Sequence, residues 1–151
     1  MTGNNKKEGT EFEKNFAFIL SKNGFWVHIF QDNKNGQPCD VMASRNGHTY
    51  LFDCKDCQRD TFRLSRMEEN QLNAMALFEE TGNSRGRFVV RFPGNEIYLS
   101  DYRTLKVLRD SGVNGLKRRD FQIYGQSLQP WLDYRNKVDE WSGNNESDNW
   151  K

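Results

Sequence analysis

Phe12, Phe16, Ile19 and Leu20 stand at i, i+4, i+7 and i+8, one apolar stripe of an amphipathic helix, after a polar lead rich in Asn and Lys. With Gly9 and Thr10 before the stripe and Asn23-Gly24 behind it, the spacing predicts a helix over 10–22. Phe25 to Phe30 is dense in aromatic and β-branched residues and reads as a strand, and Gln31 to Gln37 reads as a turn-rich loop. Cys39 to Arg45 and His48 to Lys55 then flank Asn46-Gly47. That dipeptide suits a two-residue hairpin turn, because both central positions need positive φ.

Further on, Leu64, Met67, Leu72, Met75, Ala76 and Phe78 predict a second helix over Leu64 to Phe78, stopped by Gly82. Phe88 to Phe92 and Ile97 to Leu99 form a strand pair around the Pro93-Gly94-Asn95 turn. Ser100 reads as the N-cap of a helix bearing Tyr102, Leu105 and Leu108. Residues 112–129 are ambiguous, with a strand expected around Phe121 to Tyr124. Pro130 suits a first helical turn, and Trp131, Tyr134, Val138 and Trp141 complete a last amphipathic helix. Its aromatic residues suit the core or a dimer interface better than base stacking. The expected organisation is a flexible lead over 1–8, one domain over 9–141 and a disordered polar tail over 142–151.

Composition narrows this only a little. A chain of 151 residues can bury a core without disulfide or metal staples. Lys and Arg number 22 against 21 Asp and Glu, so the formal charge of +1 neither advertises nor excludes a polyanion partner. No apolar run approaches the roughly 20 residues of a membrane helix. Three cysteines, an odd number, fit a reducing cytoplasm better than a disulfide framework.

The hairpin carries the chemistry. If Asn46-Gly47 is the whole loop, Arg45 pairs with His48, and counting outward sets Asp40 opposite Asp53. Lys55 shares the face of Asp53, while Cys54 points the other way. Carboxylates so opposed repel one another and call for a cation between them. Oxygen-only ligation at short range suits Mg²⁺ or Mn²⁺, with positions left for water and phosphate. Lys55 could steady a scissile phosphate or neutralise charge in its transition state.

The order of helix glutamate, Asp, hairpin and Asp-x-Lys resembles the PD-(D/E)XK nuclease superfamily. Gly9-Thr10-Glu11-Phe12-Glu13 is similar to the opening helix of RecU-type Holliday junction resolvases, and Phe52-Asp53-Cys54-Lys55 to their (D/E)-x-K strand. Phe62-Arg63-Leu64-Ser65 followed by Gln71 is similar to the segment after it; the whole likeness spans residues 9–108. The resemblance implies an α/β, restriction-endonuclease-like fold with a mixed central sheet flanked by helices. It implies a metal-facing role for Glu13, a helix glutamine, Gln71, near the site, and a homodimer acting on branched DNA. Two features depart from the pattern: Cys39 separates Pro38 from Asp40, and only Gln31 to Gln37 stands where RecU-type enzymes carry a protruding stalk.

Other residues admit competing readings. Cys54-x-x-Cys57 with Cys39, His28 and His48 could suggest zinc, but a structural zinc wants four ligands in close pairs, and Cys39 and Cys54 are expected together on the face behind the carboxylates. Arg59, Arg63 and Arg66 form one basic cluster and Lys117, Arg118 and Arg119 another, suited to DNA backbone contact. The expected activity is junction-cleaving endonuclease; the alternatives are a duplex endonuclease of the same fold and a non-catalytic DNA-binding module.

Overall fold

The computed structural model describes residues 2–31 and 39–137, with side chains from residue 11 onward. Helix α1 spans Thr2–Lys22 and is followed by strand β1, Trp26–Ile29. Strands β2 (Val41–Arg45) and β3 (His48–Asp56) form the hairpin. Asn46 and Gly47 take φ of 52° and 80°, the two positive values that the turn requires, and Arg45 does pair with His48. Then come β4 (Thr61–Arg63), a 3-10 turn at Leu64–Arg66, and α2 (Glu69–Glu80). The chain continues through β5 (Arg87–Phe92), β6 (Glu96–Asp101), α3 (Tyr102–Asp110), β7 (Gly115–Lys117), α4 (Arg118–Tyr124) and β8 (Gln126–Ser127). A last helix, α5, is described over 128–137.

Six strands build one sheet in the order β1-β2-β3-β5-β6-β8. Only β3 and β5 run parallel, which needs a crossover, and α2 supplies it. The alternation of β3 explains its central place: Tyr50, Phe52 and Cys54 pack on one face with Phe12, Phe16 and Leu20 of α1 and Trp131 and Leu132 of α5. Leu51 packs on the other face with Leu72 and Met75 of α2, Leu105 of α3 and Phe121 of α4. The expected mixed sheet flanked by helices is therefore the fold that forms.

Several elements differ from the pattern reading, each for a local reason. Helix α1 begins at Thr2, not at residue 10, because an apolar stripe locates a helix without marking where its polar lead begins. Leu64 and Met67 keep helical spacing and are buried, yet they lie on the 3-10 turn and an extended link, and α2 starts only at Glu69. Asp101, not Ser100, caps α3: its carboxylate accepts from the Thr104 amide at 3.0 Å, while the Ser100 hydroxyl donates to the Tyr124 carbonyl at 2.6 Å. Phe121 to Tyr124 is helical, since the Asp120 carboxylate accepts from the Lys117 amide at 2.8 Å and caps α4. The pairing of β4 with β7 joins segments far apart in sequence and has no local signal. The loop over 32–37, Pro38, Val138, Trp141 and the tail from Ser142 lie outside the described residues.

Gly125 makes the turn from α4 into β8, and a Cβ there would overlap the backbone carbonyl of Leu99 on β6. Its φ is −153°, so space and not torsion demands glycine. Gly125→Ala should cost about 1–3 kcal/mol, read as a lower urea midpoint with unchanged slope.

Candidate active site

Asp53 sits on the central strand, pairing in register with Phe88 of β5, and is 1% exposed. A carboxylate so enclosed needs partners. Lys55, two residues along the same face, brings its Nζ to 3.0 Å from Asp53 Oδ2. Gln71 of α2 donates from Nε2 to Asp53 Oδ1 at 3.1 Å. The orientation of that amide is fixed, because Gln71 Oε1 accepts the Glu68 amide at 3.0 Å in the first turn of α2. The helix cap thus aims the glutamine at the strand.

Asp40 lies just before the first ladder pair, Val41 with Phe52. The chain bends there. The Asp40 amide donates to the Phe52 carbonyl at 3.0 Å, and its Oδ2 accepts the Cys54 amide at 2.7 Å. The side chain takes over the pairing that the strand gives up, and this keeps the carboxylate beside Asp53. Burial first, then the Asp40 charge, pushes the Asp53 carboxyl well above its ordinary range, and Lys55 opposes the shift.

Glu13, Asp40, Asp53, Lys55 and Gln71 line one cleft of about 750 Å³, together with Arg59, Arg63 and Arg66. Glu13 reaches it from α1, on the far side of the sheet from α2. The second basic cluster does not line the cleft. Lys117, however, pairs with cleft-lining Thr61 through the small β4–β7 sheet, so the two clusters that were separate in sequence adjoin. Arg118 is engaged locally, at 3.5 Å from Asp60, 3.3 Å from Glu96 and 2.6 Å from the Pro93 carbonyl. Arg119 is exposed on α4.

Two cleft features had no sequence signal of their own. Asp56 ends β3 beside Lys55 and holds Arg91 of β5 in a two-point ion pair at 2.9 and 2.8 Å, while Arg91 stacks 4.7 Å from the Phe12 ring. Cys57 donates its thiol toward the Arg59 and Thr61 carbonyls at 3.0 and 3.2 Å, shaping the loop that carries Arg59. All three cysteines are free and buried. Cys39 does not share the face of Cys54 as the alternation suggested: the bend at Asp40 turns it into the α2-side cluster, while Cys54 packs on the α1 side. A three-cysteine zinc site is therefore not assembled.

The donors present suit a hard cation. Asp53 Oδ2 is buried with Lys55 Nζ at 3.0 Å as its cationic partner, and the Asp40 carboxylate lies beside it. Among the described residues no three His, Cys, Asp or Glu side chains converge closely enough to enclose an ion. Two carboxylates leave most of a coordination shell to water and phosphate oxygens, the usual habit of Mg²⁺.

The family model described as archaeal Holliday junction resolvase (Hjc) matches residues 4–120. The chain belongs to this family. The Hjc match runs from α1 through the start of α4 and includes every cleft residue named above. One curated relative, the crossover junction endodeoxyribonuclease Hjc of Methanocaldococcus jannaschii, is 23% identical over 96 residues, which make up 64% of this chain and 68% of the relative. The 1.6 Å structure of Archaeoglobus fulgidus Hjc, a Holliday junction resolvase from an archaeal hyperthermophile, superposes with a TM-score of 0.64. That match covers 82% of this chain and 99% of the other at 14% identity, and it shows a shared fold. The likeness to RecU-type enzymes thus stands at the level of the PD-(D/E)XK nucleases, and the family shown is the archaeal one. No helix among the described residues is long and apolar enough to cross a membrane.

The geometry separates two substitutions of Asp40. Asp40→Asn keeps an oxygen for the Cys54 amide and removes a charge facing Asp53, so the metal-free protein should gain about 0.5–1 kcal/mol. Asp40→Ala leaves that amide buried and unmet, and should lose about 1–3 kcal/mol. Urea denaturation in chelator checks both; a destabilised Asp40→Asn would show that the charge itself is structurally required.

A second expectation concerns pH. Because the folded-state pKa of Asp53 is raised, its contribution to stability is full below the ordinary carboxylate range and is lost as pH rises toward the raised value. The stability of Asp53→Asn relative to wild type should therefore improve as pH rises through the ordinary carboxylate range and beyond it in chelator. A constant difference across that window would mean that Asp53 is ionised throughout.

Proposed function

We propose that this protein is a divalent-metal-dependent endodeoxyribonuclease that cuts four-way DNA junctions as a homodimer. The observation that carries the reading is the buried Asp53 carboxylate, held by Lys55 and Gln71 and pressed against Asp40, within the stretch that matches the Hjc family. Asp40 and Asp53 would hold Mg²⁺ or Mn²⁺, with Glu13 facing it from α1. When bound, the ion supplies Lewis-acid polarisation of a phosphoryl oxygen and lowers the pKa of a bound water. Lys55 neutralises charge that grows on the phosphate as the bond breaks. Gln71 orients Asp53. Arg59, Arg63 and Arg66, with Lys117 and Arg119 beyond them, track the DNA backbone, since phosphate neutralisation supplies most sequence-independent affinity. Arg118 could join them only by giving up Asp60 and Glu96. Symmetric cuts across a junction require two such sites related by a two-fold axis, which is the reason for the dimer.

The test offers the purified protein a four-way junction and a duplex of the same sequence, with and without Mg²⁺. Junction cleavage should exceed duplex cleavage and should need the metal; equal cleavage of the two would establish a duplex endonuclease instead. Asp40→Asn, Asp53→Asn and Lys55→Ala should each lower cleavage by about two orders of magnitude or more, with DNA binding within a few fold, and Glu13→Ala should weaken it strongly. Mg²⁺ should also raise the melting temperature of wild type in a concentration-dependent way, but not that of Asp53→Asn. Cleavage by Asp53→Asn at the wild-type rate would sink the assignment.

A further inference from the structure

On the sheet face covered by α1 and α5, at the end of β5 away from Lys55, two arginines share one aromatic wall. The guanidinium of Arg87 lies 5.7 Å from the ring centres of both Tyr50 and Trp131. Arg135 of α5 stacks against the same rings at 5.2 and 5.4 Å. The two cations are therefore neighbours, and burial followed by the Arg135 charge draws the Arg87 pKa down to about 10.

Among the described residues neither guanidinium forms an ion pair. Arg87 donates to the Arg85 carbonyl at 3.0 Å. Asp101, the acid that acts on it, is committed to the cap of α3, accepting from the Thr104 amide at 3.0 Å and its hydroxyl at 2.8 Å, with Arg85 3.6 Å away. Two further donors of the same wall are buried and unmet: Arg135 Nε and the indole Nε1 of Trp131, a residue only 2% exposed. Arg87, Trp131 and Arg135 line a cavity of about 310 Å³, with Asp101, already engaged by the α3 cap and Arg85, also on its wall. Two like charges that share one cavity and lack an ion pair of their own call for an anion. Guanidinium forks match the spacing of phosphate oxygens and donate two bonds at once.

We propose that this cavity is a phosphate-binding site separate from the nuclease cleft, in which the guanidinium groups of Arg87 and Arg135 hold one phosphate group. One of the two donors, Arg135, comes from α5, beyond the 4–120 stretch that the family model matches. The phosphate could be one of the DNA backbone or a free one, and the chemistry of capture is the same.

The test is a melting curve of the full chain in chelator, with sodium phosphate titrated against sodium chloride at constant ionic strength. Wild type should melt progressively higher with phosphate, because an anion that binds only the folded state stabilises it by mass action. Arg135→Gln should lose that response, and Arg135→Lys, which keeps the charge without the fork, should need several-fold more phosphate. A wild type that responds to phosphate no more than to chloride overturns the proposal, as do variants that respond like wild type. Junction binding by Arg135→Gln then identifies the source. A slope of log Kd against log salt that is smaller by about one assigns the site to a backbone phosphate, and an unchanged slope with the melting response lost assigns it to a free phosphate. In both cases cleavage at saturating junction stays at the wild-type rate, since Arg135 lies outside the cleft.

Discussion

The burial of one carboxylate, Asp53, organises this molecule. Placing that charge on the central strand costs on the order of several kcal/mol unless it is paired. Its partners come from three directions: Lys55 from its own strand, Gln71 from the cap of α2, and Asp40 from the bend before β2. The first two stabilise the anion and the third opposes it. The site is consequently held together by its neighbours, with two carboxylates facing one lysine, a balance that favours a cation.

Those partners are in reach only because the sheet is mixed. The parallel step from β3 to β5 requires a crossover, and the crossover is α2, whose first turn carries Gln71. On the opposite face, α1 packs Phe12 and Phe16 against the back of β3, which brings the next residue, Glu13, to the rim of the same cleft. The two-point pair of Asp56 with Arg91, and the stacking of Arg91 on Phe12, tie the end of the lysine strand to the glutamate helix. Fold and site are thus one set of contacts.

What was legible in the sequence is what is local. Asn46-Gly47 fixes a turn, the turn fixes a register, and the register carries the chain to Val41 and Phe52, the neighbours of Asp40 and Asp53. The same reasoning missed the bend at Asp40 because alternation assumes an unbroken ladder, and so it put Cys39 on the wrong face. Boundaries failed where burial continued across a change of backbone: Leu64 and Met67 are core residues whether or not a helix carries them. Adjacent capping residues also cannot be told apart by type, and Asp101, not its neighbour Ser100, took the role. Long-range pairings had no signal at all, neither β4 with β7 nor Arg87 with Arg135.

The two like-charge pairs occupy opposite faces of the sheet and are related through β3. Phe52, the neighbour of Asp53, meets the Trp131 ring at 5.8 Å, and Tyr50 meets it at 5.5 Å. Trp131 therefore packs against the back of the strand that carries the buried carboxylate while also lining the arginine cavity. A β-strand has no slack between adjacent residues, so a side chain that fixes Phe52 also fixes the plane in which Asp53 must stand. Helix α5 is in this way both a wall of the arginine cavity and, through Trp131, part of the packing behind the strand that carries Asp53.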